Sequence, residues 1–301
     1  MWSRGWFLLV LACAACRLGF QDVSDGGPVG DKDGRGPDTP GSTSNKVLFI
    51  RGGAGTVGLN NAGGDFNACD ATEHVNGEGW GSLANLLGSN GFTVVQHLEG
   101  PLAARAPADI SNLAQYGIVV FGSNNFVYSS ADADAVEAFV RAGGAVLFIS
   151  DAGFGKTTFA EAPTSDQTFA GRFDLVIDQD NGSGVPMTVM RAQFVQPNHP
   201  VLVGVLSFQA TGTSPITVVD NVADVTPQVL VPVTGNVRNN DAPMGTSRAA
   251  TAADGALVVA EVGAGRVAAY FDRDTWTNGS LAKNSDTALA TNLFRWLQHD
   301  L

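Results

Sequence analysis

The sequence is poor in charge. Only 15% of its 301 residues are Asp, Glu, Lys or Arg, and Lys and Arg together number 17 against 29 acids. The formal net charge of -12 repels phosphate backbones, which excludes nucleic acid as a partner. It also argues against electrostatic attachment to anionic lipid. Cysteine is scarce too: Cys13, Cys16 and Cys69 are the three present. Cys13 and Cys16 have CxxC spacing, but no second pair exists and no βαβ unit surrounds them, so neither a zinc site nor a redox motif is indicated. With so few charges the surface must rely on Gly, Ser, Thr and Asn, while 44% hydrophobic residues provide for a sizeable core. The length allows one large or two small domains.

What is present is clearest at the N-terminus. Arg4 supplies a positive start, and Phe7-Leu8-Leu9-Val10-Leu11-Ala12 forms a short apolar run. It is too short to span a membrane and has the length of a signal peptide. Val10-Leu11-Ala12-Cys13 and Cys13-Ala14-Ala15-Cys16 both resemble a lipobox, in which small residues precede a cysteine that is acylated and becomes the mature N-terminus. Cys16 gives the longer apolar region and is the expected anchor, with Cys13 as the alternative. Residues 1–16 are then the signal peptide. Arg17 is not an aspartate retention signal, so resemblance to Gram-negative lipoproteins implies the outer membrane. Residues 17–45 carry Gly26-Gly27-Pro28 and Pro37-Asp38-Thr39-Pro40-Gly41 and lack large apolar residues after Val29. They read as a disordered, solvated tether.

A single domain is expected over 46–301. Val47–Ile50, Phe92–His97, Ile118–Phe121 and Ala145–Ile149 read as strands, with helical spacing from Trp80 to Leu87 and from Ser130 to Arg141. This alternation predicts an α/β fold: a mainly parallel sheet with helices on both faces. The second half adds β-rich segments at Phe173–Ile177, Met187–Met190, Ile216–Val219, Gln228–Val233, Ala256–Glu261 and Gly265–Phe271. Ser285–His299 closes the chain as an amphipathic helix.

Two phosphate-binding patterns fail in their context. Gly53-Ala54-Gly55-Thr56-Val57-Gly58 matches GxGxxG after a strand, but no helix begins until about Glu78, so no helix N-terminus faces a pyrophosphate. Gly155-Lys156-Thr157 looks like the end of a P-loop, but Ser150 stands where glycine is required. No cofactor and no metal is expected.

The stretch from Ile118 to Ser123, the helix to Arg141, and Ala145-Val146-Leu147-Phe148-Ile149-Ser150-Asp151-Ala152-Gly153 resemble the class I glutamine amidotransferase-like superfamily. There the fourth strand delivers a cysteine into a tight glycine turn. Here Asp151 holds that position, so the amidotransferase nucleophile is absent. Asn198-His199-Pro200-Val201, Gly263-Ala264-Gly265-Arg266-Val267 and Asp272-Arg273-Asp274 resemble the non-amidotransferase, trehalose-utilisation (ThuA-like) branch. The resemblance covers about 46–301. It implies a flavodoxin-like fold and carbohydrate-linked associations rather than one agreed reaction.

The residues able to carry chemistry are Asp151, Asp272 and Asp274, just beyond strand ends, and His199; Asp70, Glu73 and His74 lie on the long first loop. Brought together, carboxylates and a histidine make an acid/base pair or a hard-cation site. The same residues serve equally as turn and helix caps. Three functions stay open: an envelope-displayed domain binding a carbohydrate or a protein, a hydrolase of envelope or extracellular glycans using Asp151 with His199 or the Asp272 and Asp274 carboxylates, and a structural part of an envelope assembly.

Overall fold

The computed structural model describes residues 44–51, 79–99, 107–122, 126–150, 167–177, 187–211, 213–238 and 247–301. The chain divides into two compact units, Met1–Thr39 and Pro40–Leu301, and every described residue belongs to the second. Cys13, Cys16, most of the tether, the glycine-rich loop with Asp70, Glu73 and His74, and Asp151 with Lys156 lie outside the described residues.

Four strands form the parallel part of the sheet: β1 (Lys46–Arg51), β2 (Thr93–Leu98), β3 (Ile118–Gly122) and β4 (Ala145–Ile149). Their order is β2-β1-β3-β4, and a later strand, β13 (Gly265–Tyr270), adds beside β4 in parallel. Strand order therefore reverses at β1, the position at which open α/β sheets form a crevice at the carboxyl ends of the strands. Burial on both faces explains the apolar runs of β1, β3 and β4, whereas β2, at the edge of the sheet, carries Gln96 and His97 and is only half-buried. Phe49, Leu147 and Tyr270 face a core built with Leu83 and Leu87 of α1 (Gly81–Ser89) and with Leu289, Leu293 and Phe294 of α3 (Asp286–Leu297). Ile50, Phe121 and Phe148 face the opposite core with Val136 and Val140 of α2 (Ser130–Arg141). The start of α2 is set by a capping box between Ser129 and Asp132. The expected mixed α/β architecture, with helices on both faces and β-rich additions in the C-terminal half, is the observed one.

The second half extends the same sheet with antiparallel strands. β12 (Asp254–Val262) pairs with β13, with β8 (Ile216–Val218) and with β9 (Gln228–Pro232). β5 (Leu175–Ile177) lies outermost, beside β8. The amide of Gln167 accepts from Ile177 N and donates to Leu175 O, so a side chain occupies part of that edge. Two hairpins stand apart: β6 (Met187–Met190) with β7 (Ser207–Ala210), and β10 (Asn236–Arg238) with β11 (Ser247–Ala249). In one of the buried polar ties, Arg248 forks onto both Asp254 oxygens at 2.6 Å. Burial pushes the Asp254 carboxyl up, but this fork and the Thr251 and Thr217 donors outweigh it and hold the group at about 2.

The structure departs from the sequence expectation at Phe173–Ile177. Asp174 adopts a left-handed conformation, φ 58°, because its buried carboxylate turns back to accept from Asn221 N and Val222 N. Phe173 therefore ends a 3-10 turn and only three residues remain extended. β7, β10 and β11 were not anticipated. Among the described residues no helix is long and apolar enough to cross a membrane.

Close backbone approach holds the β12–β13 hairpin against the end of α2. A Cβ on Gly265 would lie 2.0 Å from Val140 O and 2.2 Å from Gly144 O. Gly88, on the exposed side of α1, meets nothing within 4 Å. Gly265→Ala should destabilise the domain by about 2 kcal/mol or more, whereas Gly88→Ala should stabilise it by about 0.5–1 kcal/mol. Denaturant midpoints of the two variants check the contrast.

Candidate functional site

Two groups of polar residues occupy opposite ends of β13. At the carboxyl end, the chain leaves the strand through Phe271 and turns at Asp272 into a 3-10 turn over Asp274–Trp276. The turn forms because the Asp272 carboxylate accepts from the backbone ahead of it: Asp274 N at 3.2 Å and Thr275 N at 2.9 Å. The same carboxylate accepts from Thr211 N at 3.1 Å, just past the end of β7. Thr275 Oγ1 lies 2.6 Å from Asp272 Oδ2 and 2.7 Å from the Gln209 carbonyl oxygen. Tyr270 packs its ring 4.6 Å from that of Trp276, and its hydroxyl is 3.1 Å from Thr275 Oγ1.

A second carboxylate belongs to this network. Asp286 opens α3, and its Oδ1 accepts from Gln209 N at 3.2 Å. Both Asp272 and Asp286 are fully buried. Burial pushes both carboxyls up to about 7; hydrogen-bond donors partly oppose this, the Asp274 charge raises Asp272 further and the Asp272 charge raises Asp286. The chemistry of the pair is thus internal. Asp272 holds a turn and a neighbouring strand, and no face of it reaches solvent. Asp274 differs: its side chain is partly exposed and 3.4 Å from Arg273. Ser150 N donates to Tyr270 O at 2.8 Å, so the residue before Asp151 is fixed beside this turn.

The amino end of β13 holds the other group. Arg266 places its guanidinium 4.8 Å from the Trp296 ring centre and donates to Trp296 O. His199 meets the same indole edge-on at 5.5 Å. The His199 Nδ1 accepts from Val201 N at 3.3 Å, capping the 3-10 turn Pro200–Leu202. That bond leaves the proton of the neutral ring on Nε2. Desolvation first, and then the Arg266 charge, lower the His199 pKa, so the ring is neutral at pH 7. His199, Thr226, Gln228, Glu261 and Trp296 line a cleft of about 390 Å³ floored by Val259 and Ala260.

The candidate residues therefore separate. Asp272 and Asp274 share one turn, whereas His199 lies by Arg266 and Trp296 at the opposite end of β13, a strand about 16 Å long at about 3.3 Å per residue. Among the described residues no group of three or more His, Cys, Asp and Glu is placed to hold a metal ion. The sequence reading missed Asp286, Gln228 and Glu261. Asp286 reads as an ordinary acid in a helix first turn, and only Glu261, a lone carboxylate closing the apolar run of β12, carried a visible signal.

The geometry can be set beside known proteins. A model of the family described as "Domain of unknown function (DUF4350)" matches residues 73–294. The chain belongs to this family. The match takes in both ends of β13 and every described element from α1 to the greater part of α3. No curated protein matches the chain. Among solved structures, this DUF4350 chain is similar to the mmIFT52 N-terminal domain, with 12% identity over 84% of this chain and 97% of the other, TM-score 0.54. It is also similar to Cytoplasmic Protein STM1381 from Salmonella typhimurium LT2, with 15% identity over 84% and 99%, TM-score 0.52. A putative thua-like protein from Bacteroides uniformis aligns with 14% identity over 87% and 95%, TM-score 0.45. For the first two, at these identities, the likeness is one of fold.

If Asp272 is a structural acceptor, replacing one of its oxygens by an amide nitrogen should be costly. Asp272→Asn should destabilise the domain by about 2 kcal/mol, since buried donors lose their acceptor. Asp274→Asn, at a partly exposed site, should change stability by less than about 0.5 kcal/mol. Chemical denaturation of both variants distinguishes the roles.

Proposed function

We propose that this chain is an envelope-anchored binding domain, held by a lipid on Cys16 or Cys13 and a flexible tether, that takes a carbohydrate through the cleft around His199. The separation of the candidate acid/base residues carries the reading. Asp272 spends its oxygens on backbone donors inside the protein, and His199 faces a different cleft. The cleft offers an imidazole, a carboxylate, an amide and a hydroxyl above an apolar floor. That mixture suits a ligand presenting many hydroxyl groups and a hydrophobic face. Support for the anchor comes from the N-terminal sequence: a short apolar run closed by small residues and cysteine.

A glycan array probed with the full chain tests the binding reading. Wild type should retain a defined set of glycans, Gln228→Ala should weaken them about tenfold through one lost hydrogen bond, and Asp151→Ala should leave them unchanged. Turnover of an array glycan that disappears in Asp151→Ala would replace binding by hydrolysis. Binding of no glycan by wild type would overturn the carbohydrate reading.

For the anchor, labelling of expressing cells with a palmitate analogue should mark the wild type and fail in Cys16→Ala. Loss in Cys13→Ala alone would move the anchor to Cys13, and no label in wild type would overturn it.

A further inference from the structure

We propose that Asp272 and Asp286 form a proton-holding pair that retains a proton inside the native domain at neutral pH and thereby fastens α3 to β7 and to the turn after β13. Three observations carry this. Both carboxyls are fully buried, and among the described residues neither is within ion-pair distance of a lysine or arginine. An unpaired carboxylate in such a place is costly, and taking up a proton is the cheaper state. Second, Asp286 Oδ2 is buried with no hydrogen-bond partner, so one of its two oxygens lacks any donor that would stabilise a charge. Third, Thr275 Oγ1 has a single proton but lies within 2.7 Å of two acceptors, Asp272 Oδ2 and the Gln209 carbonyl oxygen. Both short contacts are satisfied when the hydroxyl donates to Gln209 O and a carboxyl proton of Asp272 is directed at the hydroxyl.

The surroundings reinforce the point. Asp274 adds a negative charge on the turn, Tyr270 on β13 is held in its neutral phenol form by burial beside both acids, and Lys283 before α3 offsets only Asp286. Arg273 is drawn to Asp274, 3.4 Å away. The two acids share a strand. Asp286 takes the Gln209 N–H and Asp272 the Thr211 N–H, so a second negative charge strains the seam between α3, β7 and the β13 turn.

The sign follows from linkage. Ordinary carboxyls in the unfolded chain titrate near 4, and the buried pair titrates at about 7. The folded state therefore binds more protons across that interval, and stability falls as pH rises from about 4 to about 7. Above it the loss is complete. His199 and His299, whose pKa values burial lowers, act in the opposite direction, so the pair must be isolated by difference.

Urea midpoints of the full chain measured between pH 5 and 8 provide the test, comparing wild type with Asp286→Asn. Asp286→Asn should raise the midpoint at pH 8 relative to wild type and bring it level or lower at pH 5. Equal pH dependence in the two proteins would overturn the proposal. Infrared spectroscopy of wild type at pH 6 gives a second readout that needs no variant. A protonated-carboxyl stretch that vanishes on raising the pH supports the pair, and full ionisation at pH 6 refutes it.

Discussion

The parallel pairing of β13 with β4 is the contact on which the rest of the domain depends. It joins a β/α half, built from sequential strands and helices, to an antiparallel half that has almost no helix. β13 serves both, running parallel to β4 on one edge and antiparallel to β12 on the other. Its residues are small where the backbone must come close. A Cβ on Gly265 would collide with the carbonyl oxygens of Val140 and Gly144, and Gly263 turns the hairpin at φ 61°, where an added Cβ would lie 2.8 Å from Arg141 O. Ala268 and Ala269 are fully buried, one in each core. The strand thus supplies a spine rather than bulk, and the bulk comes from Phe, Trp and Leu on the layers above and below.

The same spine determines where polar groups can go. At its carboxyl end the chain must leave the sheet beneath α3, and backbone donors there would otherwise be buried without acceptors. Asp272 answers that need for Thr211, Asp274 and Thr275 together. Each donor lowers the cost of keeping a carboxyl inside, yet burial still dominates. The buried acids are then both a means of satisfying the backbone and a source of electrostatic tension. Asp254 shows the alternative outcome. It is just as inaccessible to solvent, but a bidentate arginine and three further donors keep it ionised. What separates the two aspartates is a guanidinium.

Much of this fold was legible because the parallel strands are buried on both faces and appear as bare apolar runs. Ile118–Phe121 and Ala145–Ile149 could hardly be anything else between Gly and polar punctuation. α2 was legible from Ser130 to Arg141 because its apolar spacing and its terminating glycines agree. The short strands were not. β7 is four residues long and reads Ser-Phe-Gln-Ala, a pattern whose register is set by tertiary partners, with Ser285 N on Ser207 O and Asp286 on Gln209 N. Asp174 broke an apolar run through a bond to residues nearly fifty positions away. The candidate site was half legible. Placing Asp272 and Asp274 beyond a strand end needed only the pattern, but knowing that one is sealed and the other partly exposed required the packing of α3 over the turn.

The position at which the chain joins the sheet bears on how the two ends of β13 can be used. Ser44 precedes β1, and Gln298 Nε2, two residues past Trp296, donates to its carbonyl oxygen at 2.9 Å. Asn45 O accepts from Thr93 N at the start of β2. The chain therefore joins the domain at the amino ends of the parallel strands, the end that carries the His199 cleft. The carboxyl ends, with Asp272 and Asp274, lie at the opposite end of the strands.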